Sequence, residues 1–102
     1  MISNYEREVF ESKEPVLVDF WGPQRWPCLA LMPVAVRLEK DYADKLEISK
    51  VNTAENRMLL AKLRVIGLPS FILYKGGIEI NRLSGQHITE GDLIKAIDAL
   101  IA

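Results

Sequence analysis

The chain has 102 residues, 49% of them apolar and 26% charged, a composition that fits one globular domain over residues 1–102 and excludes a disordered segment. Thirteen Lys/Arg against fourteen Asp/Glu give a net charge of −1, which leaves no electrostatic footprint for nucleic acid or an anionic membrane. One cysteine, Cys28, and one histidine, His87, exclude an intrachain disulfide and a zinc site built from Cys and His, so neither metal nor cofactor is expected.

No apolar run approaches the ~20 residues of a membrane span, and the start Met-Ile-Ser-Asn-Tyr-Glu-Arg-Glu does not read as a signal peptide. A cytoplasmic protein is expected. Nucleophile elbows and phosphate loops are absent: Lys75-Gly76-Gly77 lacks the downstream Lys-Ser/Thr of a Walker motif.

In chain order, Ser3 or Asn4 can cap a short helix through about Ser12, with Tyr5, Val9 and Phe10 on one face. Val16-Leu17-Val18-Asp19-Phe20-Trp21 reads as a strand buried on both faces. Gly22, Pro23 and Pro27 mark a loop, after which Leu31, Val34, Leu38 and Tyr42 recur at helical spacing. Pro33 inside that helix predicts a kink, because it lacks a backbone donor and crowds the preceding turn. Leu46 to Val51 alternates as a strand near a sheet edge, and Thr53 or Ala54 to Arg64 reads as one helix ended by Gly67 and Pro69. Phe71 to Tyr74 and Ile78 to Leu83 form a hairpin around Lys75-Gly76-Gly77. Thr89-Glu90-Gly91-Asp92 caps an amphipathic terminal helix carrying Leu93, Ile94, Ile97, Leu100 and Ile101. The order αβαβαββα predicts parallel strands joined by crossover helices, an antiparallel hairpin at the end, and helices on both faces.

This order, with the residues at its joints, resembles the thioredoxin family. The match runs from about Val16 to Gly85 without a gap and, with a one-residue shift, to the C-terminus. It rests on Val-Asp-Phe-Trp at 18–21, Pro27-Cys28, Pro33, Lys50, Gly67-Leu68-Pro69-Ser70, Lys75-Gly76-Gly77 and Gly85. The resemblance implies an α/β thioredoxin fold with a mixed sheet of four strands, the family's extra N-terminal edge strand being absent. That absence leaves the strand at Leu46–Val51 as an edge, where Glu47 and Lys50 discourage stray pairing. A monomer is expected in preference to an edge-paired dimer.

The family's redox loop is Trp-Cys-Gly-Pro-Cys, whereas this chain reads Gln24-Arg25-Trp26-Pro27-Cys28. Arg25 therefore stands at the position of the attacking cysteine, and Cys28 at that of the resolving cysteine. Asp19 matches the family's proton-relay carboxylate, with Lys50 nearby. The resemblance also implies a cis peptide before Pro69, and a docking patch for an extended partner segment beside it, formed by Trp21, Trp26, Pro27, Leu68, Pro69 and Gly85. Leu29 would extend that patch if exposed.

Three functions follow as expectations. One is a partner-binding module with weak or no dithiol reductase activity. Another is a monothiol redox protein that uses Cys28 with an external thiol such as glutathione. The third is a reductase that borrows a partner's cysteine. The plainer alternatives are a buried, inert Cys28, an Asp19 paired with Lys50 only for the fold, a solvated Arg25, a Trp26 folded over Cys28 as a lid, and a His87 that is simply a surface residue.

Overall fold

Apart from Asp19, the segment Val16–Trp21 is wholly apolar, and it forms β1, an inner strand of a four-stranded sheet. The computed structural model describes residues 5–23 and 26–102. After β1 come α1 (Trp26–Asp41), β2 (Glu47–Asn52), a 3₁₀ turn (Thr53–Glu55), α2 (Arg57–Leu63), β3 (Ser70–Lys75), β4 (Ile78–Ser84) and α3 (Glu90–Ile101). The strands lie in the order β2-β1-β3-β4, and the fold is α/β with a mixed sheet, as the sequence predicts.

Strand alternation sorts the side chains between two cores. Leu17, Phe71 and Leu73 point to one face, where α1 supplies Val34 and Leu38 and α3 supplies Leu93, Ala96, Ile97 and Leu100. Val16, Val18, Phe20, Ile72 and Tyr74 point to the other, covered by Tyr5 and Val9 and flanked by Leu59, Leu60 and Leu63 of α2. On that second face the Tyr5 hydroxyl donates to Tyr74 Oη at 3.0 Å, so two buried phenols satisfy each other.

Several sequence expectations are corrected in detail. β1 and β2 are parallel, but β3 runs antiparallel to β1, so the second connection is not a parallel crossover. The connection through α2 brings the chain back to the end of the sheet it left: β2 ends at Asn52, opposite Trp21, and β3 begins at Ser70, opposite Phe20.

The expected single helix over Thr53–Arg64 is broken at Asn56 (φ −138°, ψ 42°) into the 3₁₀ turn and α2. Asn52 and Asn56 cause the break: Ala54 N–H donates to Asn52 Oδ1 at 2.9 Å, and Asn56 Nδ2 donates to Asn52 O at 2.8 Å. Arg64 ends α2 in the left-handed conformation (φ 57°), before Gly67 is reached. The N-terminal element is a π-helical turn over Glu6–Phe10 in place of a helix reaching Ser12. The expected cap at Ser3 or Asn4 lies outside the described residues.

Pro33 sits inside α1, which continues through it, and its ring is exposed. The terminal capping box forms as expected: Asp92 N–H donates to Thr89 Oγ1 at 3.1 Å, and Thr89 N–H donates to Asp92 Oδ2 at 3.0 Å. Between β3 and β4 the register shifts after Leu73, leaving Ile80 as an extra, exposed residue. Gly77 closes that hairpin at φ +80°, and a Cβ there would meet the Phe10 carbonyl oxygen at 2.5 Å. The turn therefore requires glycine for conformation and for close approach.

Candidate functional site

The register of the sheet brings the sequence-predicted patch together. Phe20 pairs with Ser70 and Ser70 with Ser84. Each of the next residues in line, Trp21, Pro69 and Gly85, therefore lies at the same end of three adjacent strands. Gly85 N–H donates to Pro69 O at 3.0 Å, tying two of them directly. Below them the Ser70 hydroxyl bonds to the Gly67 carbonyl and lies 3.0 Å from Ser84 Oγ, bracing the loop that carries Leu68. The Leu68–Pro69 peptide is cis. Among the described residues, neither the backbone N–H nor the C=O of Leu68 has a hydrogen-bond partner. Such groups ordinarily find one.

From the same end α1 begins. Trp26, its first described residue, is 75% exposed, so the lid over Cys28 does not form. Pro27 and Leu29 are half-buried, as are Trp21, Leu68 and Gly85, while Pro69 is buried. Cys28 is 2% exposed in the first turn of the helix. Arg25 lies outside the described residues. Ile66, which sequence reasoning did not single out, stands 96% exposed two residues before Leu68. It belongs to no periodic element, so nothing in the local pattern marks it. His87 is exposed and lines an open groove with Ser84, Gly85 and Ile88.

Asp19 is 4% exposed and faces the α1 side of the sheet, between Leu17 and Trp21. Burial pushes its carboxyl up to about 6, against the opposing pull of the Lys50 charge. Lys50 is the strand partner of Asp19 across β1 and β2, but its ammonium pairs elsewhere, with Glu39 Oε1 at 3.0 Å. The expected Asp19–Lys50 pair is thus corrected to a longer-range attraction. Both members of the Lys50–Glu39 pair reach toward solvent, where the cost of leaving water is small.

Among the described residues, no three His, Cys, Asp or Glu side chains gather as a metal cluster, and no helix is long and apolar enough to cross a membrane.

Comparison with known proteins agrees with this architecture. The family model described as Thioredoxin matches residues 2–99. The chain is 37% identical to a thioredoxin of Acetoanaerobium sticklandii over 87% of its own length and 85% of the relative's. It is 36% identical to a thioredoxin of Peptoclostridium acidaminophilum over 96% and 86% of the two chains. It is also 40% identical to the chloroplastic thioredoxin X of Arabidopsis thaliana, over 97% of this chain and 55% of that one.

Proposed function

The chain belongs to the thioredoxin family, and from that premise we propose that it binds extended protein segments at the end of the sheet without running a dithiol cycle. One observation carries this: the sole cysteine is buried at 2% while Trp26 beside it is exposed at 75%. Disulfide reduction by this family's chemistry needs an exposed thiolate to attack and a second thiol to release the mixed disulfide. Cys28 fits only the second task, and Arg25, three residues earlier, has no sulfur with which to perform the first.

What remains is suited to binding. The Leu68 backbone, without a hydrogen-bond partner among the described residues, can receive a short added strand. Trp26 and Ile66 offer exposed apolar area, and Trp is enriched among residues that dominate interfaces.

Calorimetric titration with a reduced, alkylated, unfolded polypeptide tests this reading. Binding should persist in Cys28→Ser and weaken by about 30-fold in Trp26→Asp, the loss of one interfacial hot spot. Equal binding by Trp26→Asp would place the interface elsewhere.

A second reading, monothiol redox chemistry at Cys28 with an external thiol such as glutathione, has one supporting observation. The thiol lies in the first turn of a 16-residue helix, whose positive end favours a thiolate. Burial opposes it. We expect folded Cys28 to be alkylated by iodoacetamide at least about tenfold more slowly than in the denatured chain at neutral pH, because the thiolate must be both formed and reached. Alkylation faster than in the denatured chain would favour the monothiol reading instead.

A further inference from the structure

Asp19 is buried, and among the described residues the cation whose charge bears on it, Lys50, is shared. Lys50 is its neighbour across the β1–β2 ladder, so both side chains project toward α1. The Lys50 ammonium nevertheless lies 3.0 Å from Glu39 Oε1, at a place where the two side chains are 35% and 49% exposed. Glu39 comes from the last turn of α1, well beyond Cys28, and accepts from the Lys50 ammonium on the edge strand β2.

The geometry points to Glu39 as a positioning residue: by holding the Lys50 ammonium at the solvent edge, it keeps that charge off the buried Asp19 carboxyl and so governs whether Asp19 holds a proton. The elements on this face and beside Asp19 in the sheet carry Cys28, Arg37, Glu39, Lys40 and Asp41 on α1, Glu47 and Lys50 on β2, Tyr74 and Lys75 on β3, and Glu90, Asp92, Lys95 and Asp98 on α3. Of these, Lys50 is the one whose charge bears on Asp19. Glu39 therefore acts through where it places Lys50 and not through its own charge. The inference is independent of what Cys28 does.

The test follows the Asp19 side-chain carboxyl by ¹³C NMR across pH, in wild type, Glu39→Gln, Lys50→Gln and the double variant. Released from Glu39, Lys50 can turn inward, and the Asp19 midpoint should fall by about one pH unit, the low end of what a cation within ~4–6 Å does to a carboxyl. Lys50→Gln should raise it. In the Lys50→Gln background, Glu39→Gln should leave the midpoint essentially unmoved, and Lys50→Met supplies a second background should the first fold poorly. An unchanged midpoint in Glu39→Gln alone overturns the proposal. So does an equal fall without Lys50, which would mean that Glu39 acts by its own charge.

Discussion

Asp19→Asn is expected to stabilise the protein by roughly 2–3 kcal/mol at pH 7, worth on the order of 10 °C in Tm for a domain of this size. The carboxyl titrates at about 6 in the folded chain against 3.8 for an unburied aspartate, and desolvation is the main cause. Its folded value is raised, so between these two pH values the native state keeps a proton that the unfolded chain has lost. Stability therefore falls as pH rises through roughly 4 to 6, and stays at its lower level above that window. Asparagine keeps the shape and removes the charge, so its advantage should be largest at pH 7 and should vanish near pH 4. Urea unfolding of both proteins at the two pH values measures this directly. An Asp19→Asn variant less stable than wild type at pH 7 would mean that the ionised carboxylate is fully compensated inside the fold. The sign of this effect distinguishes a residue kept for protonation from one kept for stability.

Arg25→Cys should raise disulfide reductase activity above that of the wild-type chain, if the proposed reading of position 25 holds. The variant would carry two cysteines separated by Trp26 and Pro27, the second in the first turn of α1. The introduced thiolate attacks a substrate disulfide and forms a mixed disulfide. Cys28 then attacks that bond, releasing the substrate as a dithiol and leaving an internal disulfide for dithiothreitol to reduce. A dithiothreitol-coupled disulfide reduction assay should show a gain of about tenfold or more over wild type, with Cys28→Ser in the same background losing most of that gain, since the mixed disulfide must then wait for dithiothreitol to attack it from solution. A folded Arg25→Cys variant without gain would show that position 25 is not the place of the attacking sulfur.

How much of this was legible beforehand differs by residue. The strand Val16–Trp21 and the Thr89–Asp92 capping box form where the local pattern places them. The cis peptide before Pro69 and the gathering of Trp21, Pro69 and Gly85 at one end of the sheet agree with what the family resemblance implied. The break at Asn56 was not legible, because Asn side chains compete with helix only once a backbone partner such as the Asn52 carbonyl is in reach. Nor was the exposure of Ile66, in the connector after α2, or of Met58, on the outer side of α2, since an apolar residue looks like core in a linear pattern.

The order and type of the main elements, the single cysteine and the arginine three residues before it were properties of the sequence by itself, because periodicity, caps and covalent chemistry are local. The direction of β3, the burial of Cys28 and the turning of Lys50 from Asp19 to Glu39 were decided only in three dimensions. Each depends on which residues distant along the chain come to share a low-dielectric layer, and a carboxylate, a thiol or an ammonium takes its properties from that surrounding and not from its neighbours in sequence.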